Sequence, residues 1–260
     1  MSKTAVITGA TSGIGAAYAK RLAKDGYNLI ITGRKQKIIE ELTESLKKDH
    51  GVDINVIIAE LSDDTEYQKL ADVVRPRDDI EMLINNAGYS GYAEHFENVD
   101  ISEHEKMIKV LQVVPMRLVS LVVPGMIERG KGDIINVSSM SAFMYYPTGS
   151  VYCGAKAFVK LFSQCLYLEL RDKGIRVQVL CPGKTDTNFA KEYYPEELYN
   201  QLTKTGVMSP EQVVDYSLTC LKKNKLICIP GLSNRMVVKL FSSLPTNIYA
   251  SGVARAMPWK

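Results

Sequence analysis

The sequence predicts an α/β domain in which a doubly wound parallel sheet carries helices on both faces. Three observations support this. Short apolar runs alternate with longer segments of helical periodicity along the whole chain. The short runs are continuously apolar rather than alternating, so both faces of the sheet are covered. Finally, 260 residues with 46% hydrophobic content supply a sizeable core, and no low-complexity run, internal repeat or linker divides them, so residues 1–260 read as one domain.

Thr4–Ile7 reads as the first strand, Ile14–Lys24 as a helix ending near Gly26, and Asn28–Thr32 as the second strand. Ile38, Ile39, Leu42 and Leu46 recur at helical spacing as far as His50-Gly51. Ile54–Ala59 is the third strand, Asp63-Asp64 opens a helix, and Met82–Ile84 is the centre of the fourth strand. A long helix over Glu103–Arg129 should be bent or interrupted by Pro115 and Pro124. Ile134–Val137 is the fifth strand. Val151–Arg171 is a helix apolar over most of its circumference, hence buried or at a subunit interface. Ile175–Leu180 is the sixth strand, Val213, Val214, Leu218 and Leu221 mark another helix, and Leu226–Ile229 is the seventh strand. In a tail of about residues 231–260, Met236, Val237, Leu240, Phe241 and Leu244 mark a short amphipathic helix with Arg235 and Lys239 beside it. It is expected to pack on its own domain or on a partner subunit, and a membrane-surface contact is the sharper alternative.

Composition narrows the function. The net charge of +3 is interspersed, with no basic block for nucleic acid. Cys153, Cys165, Cys181, Cys220 and Cys228 form no C-x-x-C pair and read as reduced core or near-core thiols of a cytoplasmic protein. His50, His95 and His104 lack metal-ligand spacing, read as surface residues, and give no expectation of a metal. Lys3 precedes an apolar stretch that stops at Gly9, too short for a signal-peptide core, and no transmembrane segment is expected.

Two constellations carry chemistry. Gly9-x-x-x-Gly13-x-Gly15, with Thr11, Ser12 and Ile14, lies between a strand and a helix. The absent side chains admit a ligand to the backbone, and the helix N-terminus offers free N–H groups to a phosphate. Tyr152 and Lys156 lie one turn apart on one helix face. A free phenol has a pKa of about 10, and a neighbouring ammonium lowers it toward use at neutral pH. Ser139, thirteen residues before Tyr152, and its neighbour Ser138 are the candidate hydroxyls for holding a reacting oxygen. At the end of the second strand, Gly33 is followed by Arg34 and Lys35, cations suited to a phosphate.

In these motifs the chain resembles the short-chain dehydrogenase/reductase family over roughly residues 3–230. T-G-x-x-x-G-x-G is Thr8–Gly15, N-N-A-G is Asn85-Asn86-Ala87-Gly88, Y-x-x-x-K is Tyr152 and Lys156, and P-G is Pro182-Gly183, followed by Thr185 and Thr187. The family's spacing selects Ser139 over Ser138. The resemblance implies a Rossmann-like fold with a seven-stranded parallel sheet and a dinucleotide across its carboxyl edge. Tyr152 would be the acid/base, Ser139 would position the oxygen, and Lys156 would also bind the nicotinamide ribose. Gly33 stands where NAD-preferring relatives carry an acid, so NADP(H) is expected, with Arg34 and Lys35 at its 2′-phosphate. Glu60-Leu61 would frame the adenine, and Asn86, Ala87, Gly88, Pro182 and Gly183 complete the cofactor contacts.

The implied reaction interconverts a ketone and a secondary alcohol. The substrate is expected to be hydrophobic, such as a steroid or bile acid, with a 3-ketoacyl thioester or xenobiotic ketone as alternatives. A silent NADP-binding sensor is the rival of another class. The lid, about residues 184–206, carries Phe189, Tyr193, Tyr194 and Leu198. Tyr145, Tyr146, Tyr193 and Tyr194 are either substrate contacts or ordinary loop aromatics. Relatives pair helices into a homodimer or homotetramer. One departure stands out: the family's Asn that stabilises a helix irregularity, and whose carbonyl holds a water toward the catalytic Lys, falls at Leu111. Pro115 lacks an N–H and leaves the Leu111 carbonyl without its i+4 partner.

Overall fold

Each strand can be apolar without a break because alternate residues are claimed by different helices. The computed structural model describes residues 3–91, 94–187 and 206–256. It contains seven parallel strands: β1 (Thr4–Thr8), β2 (Asn28–Gly33), β3 (Ile54–Ile58), β4 (Ile80–Asn85), β5 (Gly132–Val137), β6 (Ile175–Leu180) and β7 (Ile227–Cys228). Their order is β3-β2-β1-β4-β5-β6-β7. Ala5, Ile7, Leu29, Ile31 and Ile135 point to one face, where α1 (Gly13–Lys24), α2 (Gln36–His50) and α7 (Pro210–Lys222) cover them with Tyr18, Leu22, Ile39 and Leu218. Val6, Ile30, Leu83 and Ile134 point to the other face, against α3 (Asp64–Val74), α5 (Val114–Glu128) and α6 (Ser150–Leu170). Burying each of these large side chains contributes on the order of 2 kcal/mol.

The fold agrees with the expected seven-stranded, Rossmann-like architecture, and most boundaries fall within two residues of expectation. The differences have local causes. The long helix begins at Ile101, where the Asp100 carboxylate accepts the Ser102 N–H at 2.8 Å. It is then divided into α4 (Ile101–Ile108), a π turn over Lys109–Val113, and α5, with Pro115 in the first turn of α5 and Pro124 inside it. By length and composition alone the run Ile101–Glu128 could cross a membrane, contrary to the sequence expectation. Here it is the crossover between β4 and β5, with Leu118, Val119, Val122 and Met126 buried in the core.

The tail departs further. It forms two helices, α8 (Leu232–Ser243) and α9 (Thr246–Ala256), where one was expected. The α8 residue that is buried is Val238, while Met236 and Leu240 are 61% and 59% exposed, so packing on the domain does not account for them. Cys165 is exposed, unlike the four buried cysteines. His104 is buried rather than on the surface, with its ring stacked on Phe96 at a centroid distance of 4.8 Å. It shares the inner side of the α4–π segment with Met107 and Leu111 at i, i+3 and i+7.

One buried polar chain joins three elements. The Tyr18 hydroxyl donates to Ser217 Oγ at 2.6 Å, and Ser217 donates to Gln178 Oε1 at 2.5 Å. Gln178 Nε2 closes back on the Ser217 carbonyl at 3.1 Å. All three residues are fully buried, so α1, α7 and β6 are stitched by groups that water cannot satisfy. Ser217→Ala leaves the Tyr18 hydroxyl without an acceptor, and stability to urea should fall by about 2 kcal/mol with the fold retained.

Candidate functional site

A parallel sheet sends every strand-to-helix loop to one edge, and the order of this sheet reverses between β1 and β4. A crevice opens at such a point. Here it is a cavity of about 350 Å³. The loop after β1 supplies Gly9, Thr11, Ser12, Gly13 and Ile14, and the loops after β2 and β3 supply Arg34, Lys35, Glu60 and Leu61. The loop after β4 supplies Asn86, Ala87 and Gly88; Ser139 follows β5, and Pro182, Gly183, Thr185 and Thr187 follow β6. Tyr152 and Lys156 close the wall from α6.

Of the residues assigned from sequence to catalysis or cofactor binding, Gly15 is the one that does not line the cavity. It sits in the first turn of α1, and a Cβ there would collide with the Gly9 carbonyl oxygen. Its part is to let the helix approach the loop. Gly9 does border the cavity, at φ +70°, and a Cβ there would lie 2.8 Å from the Ala87 Cα. A backbone approach this close, beside a helix N-terminus, suits an elongated phosphate-bearing ligand. Gly33, Ala59, Tyr89, Val110, Val137, Ser138 and Lys184 also line the cavity and were not assigned to it from sequence. Most of them neighbour a motif residue at a strand end, the signal that could have found them.

The loop after β1 is held by β4. Thr8 Oγ1 accepts the N–H groups of Asn86 and Ala87 at 3.0 and 2.9 Å. The Asn86 amide donates to the Thr8 and Gly9 carbonyls at 2.9 and 3.0 Å. Asn86 therefore fixes the glycine loop as well as bordering the cavity.

The two neighbouring serines divide their work. Ser138 is buried, and its hydroxyl donates to the Lys156 carbonyl at 2.8 Å, tying β5 to α6. Ser139 is half-buried and caps the 3₁₀ turn Met140–Phe143, its Oγ accepting the Ser141 N–H at 3.1 Å. It also donates to Ser141 Oγ at 3.2 Å, and Ser141 lies 3.4 Å from the Tyr146 hydroxyl. Tyr146 thus reaches Ser139 through one hydroxyl, whereas Tyr145 turns away to pack at a tilt against the Tyr249 ring.

Lys156 is 4% exposed, and its Nζ donates to the Val137 carbonyl at 2.9 Å. Burial pushes its pKa down from 10.5 to about 8, with a small opposing effect from Cys181. The ammonium lies 5.7 Å from the centroid of the Tyr152 ring. Beside it, Leu111 packs with Met107, Tyr152 and Ala155. Leu111 falls inside the π turn, where the Val114 N–H reaches back five residues to the Lys109 carbonyl. The helix irregularity is therefore present without an Asn, and Pro115 offers no N–H to the carbonyls of Val110 or Leu111.

At the far end of the cavity Arg34 pairs with Glu60 at 3.0 Å, both about half exposed. Burial works to raise the Glu60 pKa, but hydrogen bonds from the Ser62 N–H and hydroxyl and from Arg34 outweigh it, and the net shift is downward. Glu60 thereby holds Arg34 facing the cavity. The two ends of the expected lid are tied: the Asp186 N–H donates to the Met208 carbonyl at 2.9 Å, and the Met208 N–H to the Lys184 carbonyl at 3.1 Å. Phe189, Tyr193, Tyr194 and Leu198 lie outside the described residues.

Comparison with known proteins agrees with this geometry. The family model described as short chain dehydrogenase matches residues 3–198. The very-long-chain 3-oxoacyl-CoA reductase of Mus musculus is 36% identical over 198 residues, which are 75% of this chain and 63% of the relative. The chain thus spans less than two thirds of the length of that relative. The 17-beta-hydroxysteroid dehydrogenase type 3 of Mus musculus is 30% identical over 98% of this chain and 80% of its own length. Among solved structures, a short-chain dehydrogenase from Sphingobium yanoikuyae in complex with NADPH superposes with a TM-score of 0.83 at 30% identity, covering 94% of this chain and 97% of that one.

Lys156 generates a prediction that separates stability from chemistry. A lysine whose folded pKa is depressed destabilises the fold below that pKa, and the penalty fades as pH rises from about 8 to 10.5. Removing the charge should recover about 3 kcal/mol, less about 1 kcal/mol for the Val137 carbonyl left without its donor. Lys156→Met should therefore be more stable than the parent to urea at pH 7 and lose that advantage near pH 10. Equal destabilisation at both pH values would contradict this account.

Proposed function

The chain belongs to the short-chain dehydrogenase family, and from that premise we propose that it is an NADP(H)-dependent oxidoreductase interconverting a ketone and a secondary alcohol. The observation that carries this reading is the convergence of Ser139, Tyr152 and Lys156 on one cavity whose opposite end presents Arg34. NADPH in the Sphingobium yanoikuyae relative supports the cofactor assignment. The glycine loop and the N-terminus of α1 would hold its pyrophosphate, Arg34 and Lys35 its 2′-phosphate, and Lys156 its nicotinamide ribose. When bound, the nicotinamide supplies or accepts the hydride.

The chain's own residues handle the proton. In reduction the Tyr152 phenol donates to the carbonyl oxygen, and in oxidation its phenolate takes the alcohol proton. The Lys156 ammonium favours the phenolate and so brings the phenol into working range. The Ser139 hydroxyl turns from Ser141 to the substrate oxygen and fixes its position. A small hollow of mixed character beside Tyr152 is lined by Tyr89, Phe96, Met107 and Val151 together with Glu94, Glu103 and His104. The two Mus musculus relatives, a very-long-chain 3-oxoacyl-CoA reductase and a 17-beta-hydroxysteroid dehydrogenase, favour a long-chain 3-oxoacyl thioester or a steroid as substrate. Exposed Met116, Phe158, Leu161 and Leu168 on α5 and α6 support a homo-oligomer, and the five free thiols suit a reducing compartment such as the cytoplasm.

NADPH and NADH oxidation with a panel of steroid ketones, 3-oxoacyl thioesters and bulky aryl ketones tests this reading. NADPH should be preferred, and Tyr152→Phe should lower kcat by at least about 10²-fold with cofactor binding largely intact. Near-normal turnover in that variant would remove the mechanism, and cofactor binding without turnover of any substrate would favour a sensor. Arg34→Ala should weaken NADPH binding by roughly 1.5–3 kcal/mol and affect NADH less, as measured by fluorescence titration of both cofactors.

A further inference from the structure

The α8–α9 hairpin presents to solvent a surface that its own fold does not use. Leu232, Met236 and Leu240 recur every four residues along one side of α8 and are 67%, 61% and 59% exposed. Ile248 on α9 is 57% exposed. Arg235 and Lys239 lie on α8 next to the apolar line. The opposite side of α8 carries buried Val238 and also Phe241, which meets Tyr249 of α9 edge-on with ring centroids 5.3 Å apart.

Charge says what would cover this face. The last carboxylate side chain in the sequence is Asp215. From Tyr216 to Lys260 there are seven Lys or Arg and no Asp or Glu, although the whole chain is only +3. A second copy meeting this face about a two-fold axis would set Arg235 and Lys239 against their own counterparts, with no carboxylate on either helix to separate them. An anionic lipid surface supplies both missing partners, negative charge for the cations and an apolar boundary for the leucines and methionine. Only Trp259 carries an indole in this chain, and it belongs to the same basic segment.

The hairpin is also hydrogen-bonded to the segment that follows Ser139. The Tyr249 hydroxyl donates to the Tyr145 carbonyl at 2.9 Å and accepts the Tyr145 N–H at 3.3 Å. The Tyr145 hydroxyl donates to the Thr246 carbonyl at 3.1 Å, and the two rings lie 4.4 Å apart. Tyr145 follows the 3₁₀ turn that Ser139 caps, so the hairpin is tied to the segment that carries Ser139.

We propose that the α8–α9 hairpin docks on an anionic bilayer surface, with Leu232, Met236 and Leu240 entering the headgroup boundary and Arg235 and Lys239 meeting lipid phosphate and carboxylate groups. The test is co-sedimentation of the full chain with phosphatidylcholine vesicles with and without phosphatidylserine, together with Trp259 emission. The parent should bind the phosphatidylserine vesicles with a blue shift. The doubly substituted Met236→Glu, Leu240→Glu protein and the Arg235→Glu, Lys239→Glu protein should each lose at least about tenfold in partitioning. Both variants should keep NADPH affinity and turnover of a water-soluble ketone, because none of these residues lines the cavity. Absence of parent binding, or binding unchanged in both variants, overturns the proposal. A parent dimer that Met236→Glu, Leu240→Glu converts to a monomer in light scattering, without vesicle binding, overturns it in favour of self-association.

Discussion

The rest of the site depends on the seam between β1 and β4. There the chain order reverses, and two side chains span the joint. Thr8 takes up two N–H groups from the loop after β4, and Asn86 occupies two carbonyls at the start of the loop after β1. With those carbonyls engaged, the glycine loop is committed to one path, and α1 can start close against it because Gly15 has no side chain. The resulting crevice, helix N-terminus and backbone clearance are consequences of that joint, in which Asn86 both ties the loop and borders the cavity.

A second constraint acts at the other end of the cavity. Lys156 is buried with its ammonium donating to the Val137 carbonyl, and burial moves its proton affinity toward neutrality. The fold tolerates this because β5 and α6 are joined twice within a short distance, once by the Lys156 ammonium on Val137 and once by Ser138 on the Lys156 carbonyl. Leu111 seals the adjoining space against Tyr152. A low-polarity surrounding strengthens the influence of one positive charge on a neighbouring phenol. The arrangement that costs stability is thus the one that makes the phenol useful.

Much of this could be read from the sequence because the sheet is buried on both faces. Continuous apolar runs then mark strands, and Ile175–Leu180 was placed to the residue. Motif residues at strand ends could be assembled into one site, since a parallel sheet brings those ends to one edge. What was hidden depends on contacts between distant segments. The burial of His104 follows from its stack on Phe96 and its place on the inner side of an interrupted helix. The seating of α9 depends on Tyr249 meeting Tyr145 across more than a hundred residues, and this helix contains Ala250, Gly252 and Ala254 with little hydrophobic period to announce it. The three glycines of the loop look equivalent in a motif, yet two border the cavity and Gly15 packs behind it.

Ser138 and Ser139 are chemically identical neighbours that both border the cavity but have unlike tasks, Ser138 giving its hydroxyl to the Lys156 carbonyl and Ser139 capping the turn that follows. What separates them is the extended backbone, which turns successive side chains in different directions and so gives their hydroxyls different partners. A one-residue deletion at the end of β5 could leave a serine facing the cavity while putting Val137 where the brace belongs. An insertion could leave a brace while removing the cavity hydroxyl. Composition would barely register either change. The segment's tolerance to length variation should therefore be far lower than its tolerance to substitution, and alignments that slide by one residue here would match the letters while misassigning their work.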